Sequence, residues 1–209
     1  VRHYLQACLR DPDAVDEVYQ EFALRLVRGD FRSADPQRGR FRSYVKSVVY
    51  RLMIDHYRGR TRWQKQVSLQ HDPEASMIDN DESDVAFNQS WRQVTLAQAW
   101  ESLAKVEKDG GPPYHTAMQL RVEHPDWAST ELAQHLGQRL GRSLNSGAAR
   151  VMVHRARERF ADAVITTVAQ SLQQISFDAI EEELLELNLM TYCRSALQRY
   201  RESPEPSED

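Results

Sequence analysis

The 209 residues carry a net charge of −4 and a pI near 6.0, and 41% of them are hydrophobic. The apolar content is enough for a core, whereas the charge argues against a domain that holds free DNA by bulk electrostatics, because such domains are strongly basic. No apolar run approaches the length of a membrane span, and no secretory signal opens the sequence. Cys8 and Cys193 match no metal-ligand spacing, and we therefore expect a reduced, cytoplasmic setting.

Apolar residues recur mostly at spacings of three and four, which predicts an all-α fold. Charge divides the chain into segments: residues 31–65 hold ten Lys or Arg and two acidic residues, and residues 72–84 hold six acidic and no basic residues. Residues 177–209 hold nine acidic and three basic residues. This alternation indicates a nucleic-acid partner at specific places. We predict two small helical domains joined by an acidic flexible linker, with a helical C-terminal extension.

The first predicted domain covers residues 1–65. Asp11-Pro12-Asp13 is a turn or helix-start signal, and it precedes an amphipathic helix over residues 13–28. The side of this helix away from its apolar stripe carries acidic and amide side chains, namely Asp16, Glu17, Gln20 and Glu21. A loop over residues 29–40 follows, and the next helix begins at Phe41.

Basic residues are interleaved with aromatic residues in the second half of this domain. The candidates are Arg38, Arg40, Arg42, Lys46, Arg58, Arg60, Arg62 and Trp63. Cations that track phosphates and rings that stack on bases suit single-stranded nucleic acid. The alternative is structural, with the aromatic rings in the core and the arginines extended to solvent. We expect Tyr44 in the core and leave Tyr57 and Trp63 open.

The linker is predicted over residues 66–87, where too few apolar residues are present to order the chain alone. The second domain is predicted over residues 88–163. Its helix over residues 130–137 would be capped by Ser129 or Thr130 and stopped by Gly137. The connection from Gly137 to Leu144 is longer than the usual three- or four-residue turn of a helix-turn-helix.

The helix that starts after Asn145 is the candidate recognition helix. Asn145 is a suitable cap, and Ala149, Val153, Ala156 and Phe160 form a narrow apolar stripe. The candidate DNA-binding residues lie off that stripe and are Ser146, Arg150, His154, Arg155 and Arg157. The window by itself fits an ordinary amphipathic helix with a solvated basic face equally well.

The helical extension is predicted over residues 164–200, with Asp178 and Glu181 as a capping box. A disordered tail is predicted over residues 201–209. Acidic residues of the extension, Glu181–Glu183 and Glu186, suggest a regulatory cover over a basic surface. The alternative, which we favour, is that the extension is simply part of the core.

Two parts of the chain resemble the sigma-70 family in its small extracytoplasmic-function (ECF) type. Asp16-Glu17-Val18-Tyr19-Gln20-Glu21-Phe22, Phe41-Arg42-Ser43-Tyr44-Val45 and Ile54-Asp55-His56-Tyr57-Arg58 resemble its second region, and residues 130–160 with the string from His154 to Arg159 resemble its fourth. The resemblance covers roughly residues 5–65 and 88–163. The C-terminal extension is similar to that of some planctomycete-type members.

The resemblance implies a sigma factor that directs core RNA polymerase to promoter DNA. The acidic and amide residues of helix 13–28 would bind polymerase, the Arg38–Trp63 block would hold the single strand of the −10 element, and the recognition helix would bind the −35 duplex. An anti-sigma factor or another regulator is a further expected partner. We expect no catalytic residue, metal, cofactor or membrane partner. The alternatives are a stand-alone helix-turn-helix regulator that dimerises through the C-terminal helices, and a helical interaction module without a DNA role.

Overall fold

The computed structural model describes residues 1–9, 11–33, 41–67, 80–172 and 174–202. Within these ranges the protein is all-α and has no strand, as the spacing of apolar residues predicts. The helices are α1 (Arg2–Cys8), α2 (Pro12–Arg28), α3 (Phe41–Val67), α4 (Asn80–Lys108), α5 (Tyr114–Glu123), α6 (Ser129–Arg139), α7 (Ser146–Ser171), α8 (Phe177–Glu186) and α9 (Met190–Glu202). A short 3-10 helix covers Asp30–Ser33.

The chain divides into two compact units. The first contains Val1–Trp91 with Ser171–Gln174, and the second contains Arg92–Gln170 with Ile175–Asp209. The boundary therefore falls within α4, and each unit has its own hydrophobic core.

The first unit is built on α2 and α3. Asp11 caps α2 by accepting a hydrogen bond from the Asp13 N–H at 3.1 Å, Pro12 occupies the first helical position, and Gly29 ends the helix with φ of 80°. The Asp11-Pro12-Asp13 signal is thus confirmed as a helix start. The core is lined by apolar residues of α1, α2, the 3-10 helix and α3, including Tyr4, Val15, Phe22, Phe31, Val49 and Met53. Tyr44 packs against this core as expected.

The predicted linker differs from the structure at both ends. Helix α3 continues to Val67, and α4 begins at Asn80, within the acidic segment. Phe87 is only 2% exposed and meets the ring of Tyr4 edge-on, with the ring centroids 5.1 Å apart. Trp91 stacks on Phe87 at 6.0 Å. These aromatic residues give the start of α4 an apolar face, and this face binds it to the first unit despite the surrounding acidic charge.

The second unit contains two apolar groups of residues. Around α5, α6 and the first half of α7, the core holds Leu120, Leu132, Leu136, Ala149, Val153 and Ala156. Further along the chain, buried residues are Val164, Ile165, Ile180, Leu184, Leu187, Leu189 and Cys193. Burial raises the pKa of the Cys193 thiol to about 11, so the thiol is protonated near neutral pH.

The extension predicted over residues 164–200 covers the end of α7, all of α8 and most of α9. The predicted capping box of Asp178 and Glu181 is wrong, because Ser176 caps α8 by accepting the Ala179 N–H at 3.2 Å. Asn188 adopts φ of 53°, and the Leu189 N–H then bonds to the Leu184 carbonyl at 2.8 Å, which ends α8. Helix α9 runs into the predicted tail as far as Glu202. Residues 203–209 lie outside the described part of the chain.

Candidate nucleic-acid interface

The predicted helix-turn-helix of the second unit falls on α6 and α7. The predicted caps of α6, Ser129 and Thr130, are instead its first two helical residues, and Ala128 precedes them. The Glu131 carboxylate accepts the Ala128 N–H at 3.0 Å. An acidic side chain in the first turn therefore accepts a hydrogen bond from the backbone N–H of the residue that precedes α6. Its negative charge is also favourable near the positive end of the helix dipole.

The glycine that ends α6 is Gly141 and not Gly137, so that prediction is wrong. Gly141 has φ of 64°; its N–H bonds to the Gln138 carbonyl at 3.3 Å, and the Arg142 N–H bonds to the Gly137 carbonyl at 3.0 Å. This pair of bonds is the Schellman motif, in which a left-handed residue closes the helix. Gly137 lies inside α6, where a Cβ would come within 2.7 Å of the Arg142 carbonyl oxygen. Gly137 therefore permits the turn to fold back closely on the helix.

Gly137→Ala is expected to destabilise the second unit by about 1–3 kcal/mol, the usual cost of overpacking. The clash is with backbone that the Schellman motif fixes, so it outweighs the gain in helix propensity of about 1 kcal/mol. Chemical denaturation of the full chain measures the effect. Gln138→Ala, at an exposed position on the same helix, is the control and should change little. A stabilised Gly137→Ala protein would show that the turn moves freely.

Asn145 caps the recognition helix as predicted, because its Oδ1 accepts the Ala148 N–H at 2.7 Å. Ser146 is the first residue of α7, and Arg150, His154, Arg155 and Arg157 are exposed. Five steps along the chain separate Arg150 from Arg155, and they correspond to a net rotation of about 140° around the helix. Arg150, His154 and Arg157 therefore share a face, whereas Arg155 points away from it.

The shared face borders a cavity of about 220 Å³, and Arg121 of α5 lines its other side. Arg121 was missed in the sequence because it stands alone on a short helix with no basic pattern around it. Its Nη1 donates to the backbone carbonyls of Pro125 and Trp127, both at 3.0 Å. These bonds hold the Arg121 side chain on the turn that follows α5, and it lines the same cavity as Arg150, His154 and Arg157 of α7.

The basic residues of α3 are not equivalent to one another. Arg42 is buried, with 5% exposure, and donates to the Asn88 side chain. Lys46 is partly buried and forms an ion pair with Asp84. Both partners lie on α4. The prediction that Arg42 binds DNA is therefore at odds with the structure, which uses its guanidinium to hold α4.

Arg58 and Arg60 are exposed near the C-terminal end of α3. Arg60 pairs with Asp11 at 2.5 Å, and its hydrogen bond lowers the pKa of the Asp11 carboxyl below its usual value. Arg38 and Arg40 lie outside the described residues. Arg62 and Trp63 are within the span of α3, but their side chains are outside the described part. Tyr57, which the sequence left open, has 42% exposure.

The acidic and amide residues of α2 lie mostly at the surface. Asp16 pairs with Arg2 at 2.7 Å, and Glu21 pairs with Arg25 at 2.8 Å. Gln20 is exposed. Glu17 lies 3.3 Å from His56 Nδ1 on α3, and His56 Nε2 is buried with no hydrogen-bond partner among the described residues. The predicted polymerase-facing and DNA-facing helices are thus joined by the Glu17–His56 and Asp11–Arg60 contacts.

No helix in the described ranges is long and apolar enough to cross a membrane. The same ranges contain no group of three or more His, Cys, Asp or Glu side chains arranged to hold a metal ion.

Residues 1–63 match the family model of Sigma-70 region 2. No curated protein and no solved structure shows a significant match to the chain. The matched segment contains α1, α2 and most of α3, that is, the helices that carry the acidic α2 surface and the basic residues of α3. Residues 1–63 are thus similar to region 2 of sigma-70 family sigma factors, and this similarity supports a role in promoter recognition and RNA polymerase binding.

Proposed function

We propose that the protein is an ECF-type sigma factor that binds core RNA polymerase, recognises the −35 and −10 elements and promotes strand opening. One observation carries the proposal: a segment that matches sigma-70 region 2 is followed by a separate helical unit with a capped helix-turn-helix. A stand-alone helix-turn-helix regulator would need no region 2, so the match does not favour that alternative.

In the proposed mechanism, the second unit binds the −35 duplex through α7. Residues near the N-terminus of a recognition helix reach base edges in the major groove, which assigns base contacts to Ser146 and Arg150. Arg155, on another side of α7, contributes to the positive charge of the helix without sharing this face. Phosphate contacts fix the register, and base contacts supply the specificity.

The first unit would bind the unpaired strand of the −10 element. Strand opening costs a few kcal/mol for each unstacked step, and cationic side chains that hold the displaced phosphates offset part of it. Arg58 is the clearest candidate because it is exposed on α3. Arg60 is exposed too, but its pairing with Asp11 holds it toward α2. Arg38, Arg40, Arg62 and Trp63 remain predicted contributors, and Lys46 would contribute only after it leaves Asp84.

Asp16, Glu17, Gln20 and Glu21 would contact polymerase, because an acidic and amide surface complements a basic partner. The acidic pI agrees with this assignment, since the polymerase and not the isolated chain would supply most contacts to DNA phosphates. We propose a cytoplasmic location with the polymerase. Control by an anti-sigma factor is compatible with the family but is supported by no feature of the described residues.

Transcription by core polymerase supplied with the full chain, on a library of random promoters, tests the proposal. We expect transcripts that start at defined sites and share two sequence elements. Arg58→Ala should reduce open-complex formation by about tenfold or more, the loss expected for a charge-assisted hydrogen bond of about 1.5 kcal/mol.

Arg28→Ala, at an exposed basic position on α2, is the matched control and should have little effect. The isolated chain should bind promoter duplex only weakly. Tight, salt-tolerant binding to a palindromic duplex without polymerase, together with no stimulation of transcription, would contradict the proposal and favour the stand-alone regulator.

A further inference from the structure

We propose that residues 203–209, the tail segment, bind within the same chain to the basic cavity between α5 and α7. The tail segment follows α9, which ends at Glu202, and lies outside the described part of the chain. The cavity is the one lined by Arg121, Arg150, His154 and Arg157. On the proposed function, on which this consequence rests, the tail segment competes with DNA for the recognition helix and lowers promoter binding.

The tail segment and the cavity carry opposite charges. The tail sequence is Ser-Pro-Glu-Pro-Ser-Glu-Asp, with three acidic residues and no basic residue. The cavity is lined by three arginines and by no carboxylate. Arg121 donates to backbone carbonyls only, and neither Arg150 nor Arg157 forms an ion pair within the described ranges. Carboxylates bound there would relieve the repulsion between guanidinium groups that share one cavity.

His154, the fourth basic lining residue, already has an acidic neighbour. Its Nε2 lies 3.7 Å from the carboxylate of Glu158, which Arg199 of α9 also contacts at 3.2 Å. Glu158 therefore offsets part of the positive charge beside His154. We accordingly assign the tail carboxylates to the arginines of the cavity and not to His154.

The last turn of α9 is attached to α7 close to the cavity. Arg199 pairs with Glu158 and with Asp162, and Glu158 is one helical turn from His154. From Glu158 to Arg150 is a further eight residues in all, or about 12 Å along the helix axis. The tail segment spans up to about 25 Å when extended, because an extended chain advances by at most about 3.6 Å per residue. It is therefore long enough to cross the cavity while α9 stays in place.

The short tether favours binding within one chain over binding between chains. Exposed ion pairs are individually weak, but a segment tethered beside its site has an effective concentration in the millimolar range. The floor of the cavity is apolar, since Leu132 and Val153 are 1% and 6% exposed. Pro204 and Pro206 alternate with acidic residues in the tail segment, so it offers apolar rings for this floor as well as carboxylates for the basic wall.

A zero-length crosslink tests the contact without DNA. Arg157→Lys keeps the positive charge and supplies an amine that a carbodiimide joins to a carboxylate in contact with it. Arg159→Lys is the matched control, because Arg159 is exposed on α7 and does not line the cavity. In full-length Arg157→Lys at low salt, mass spectrometry should find the new amine joined to the tail segment. The crosslink should be lost at high salt, which screens exposed ion pairs, and should be nearly absent in Arg159→Lys.

A mixture of isotopically labelled and unlabelled chains separates crosslinks within one chain from crosslinks between chains. Crosslinks within one chain that are specific to Arg157→Lys would support the proposal. Crosslinks found only between chains would overturn it, because the tail segment would then act on a second copy. Equal crosslinking in the two variants, or none, would also overturn it.

A second measurement tests the consequence for DNA binding. The tail variant combines three neutral substitutions in the full chain, Glu205→Gln, Glu208→Gln and Asp209→Asn. The control variant removes the same amount of charge at three exposed positions of the second unit that do not line the cavity, Glu101→Gln, Asp109→Asn and Asp178→Asn. Affinity for promoter DNA is measured with core polymerase present, so that both variants are compared in the complex that the proposed function requires.

The tail variant should bind promoter DNA more tightly than the wild type, and the control variant should not. A tail segment that occupies the cavity about two-thirds to nine-tenths of the time lowers the apparent affinity about threefold to tenfold, and neutralisation would restore it. Unchanged affinity in the tail variant would overturn the competition with DNA. A wild-type chain that gives no promoter binding with polymerase would count against the sigma-factor function, whereas the crosslink would still decide whether the tail segment binds the cavity.

Discussion

Phe87→Ala is expected to lower the free energy of unfolding of the first unit by about 3–5 kcal/mol, the usual loss for a fully buried phenylalanine. Phe87 is 2% exposed and is in contact with two aromatic partners, Tyr4 of α1 and Trp91 of α4. Removal of the ring would leave a cavity beside Tyr4 in the core of the first unit.

Val85→Ala is the control for this prediction, because Val85 is on the same turn of α4 but is 56% exposed. Hydrogen exchange of the full chain, followed over residues 1–60 by mass spectrometry, reports the stability of the first unit separately. We expect faster exchange throughout α1 and α3 in Phe87→Ala and near wild-type exchange in Val85→Ala. Equal exchange in the two variants would mean that the start of α4 is only a tether.

The same contact bears on how the first unit would bind the −10 strand. With Phe87 in the core, Asp84 and Asn88 are placed beside Lys46 and Arg42 of α3. The start of α4 thus takes up two of the basic side chains that the sequence assigned to DNA. Arg58, away from these contacts, is the residue of α3 that the structure leaves best suited to bind a nucleic-acid strand.

The linker shows why composition alone misplaces a boundary. Six acidic residues over residues 72–84 indicate a segment that cannot fold by itself, and that inference is sound for an isolated peptide. It misses Phe87 and Trp91, which are four residues apart and therefore lie on one face of a helix. Phe87 is part of the core of the first unit and Trp91 packs against it, so the start of α4 is attached to a core formed by residues distant in sequence.

In the predicted helix-turn-helix, the sequence predicts the start of one helix correctly but not the residue that ends the other. The cap at Asn145 was predictable because it depends only on the next three residues. The choice between Gly137 and Gly141 was not, because either glycine is a suitable helix stop in the sequence. The two differ in backbone conformation, since Gly141 has φ of 64° and Gly137 is helical, and the sequence pattern does not say which glycine adopts the left-handed conformation.

In the candidate site, too, local sequence spacing identifies some residues and misses another. Helical spacing alone was enough to group Arg150, His154 and Arg157, and it was also enough to separate Arg155, which the sequence prediction nevertheless included. The sequence did not indicate that Arg121 belongs with this group, because 29 positions separate it from Arg150. Its place beside α7 depends on the packing of α5 and on the turn that its guanidinium holds.

Leu184→Ala is expected to destabilise the second unit by about 2–5 kcal/mol and to lower promoter output rather than raise it. Leu184 is fully buried in α8, and its carbonyl accepts the bond that ends that helix. Helix α9 is tied to α7 by Arg199, which pairs with Glu158 at 3.2 Å and with Asp162 at 2.8 Å. Glu158 and Asp162 are on the same helix as the candidate DNA-binding residues, so the extension supports the recognition helix directly.

Leu185→Ala separates this structural role from a regulatory one, because Leu185 is the next residue and is 56% exposed. Thermal unfolding and polymerase-dependent transcription are measured for both variants and for a chain that ends at Leu172. If the extension is part of the folded unit, Leu184→Ala and the truncated chain lose stability and output together, whereas Leu185→Ala retains both. If the extension instead covers the recognition helix, the truncated chain stays folded and its output rises. The burial of Leu184 and the pairing of Arg199 with Glu158 and Asp162 favour the first result, because a detached cover would lose these ion pairs to α7.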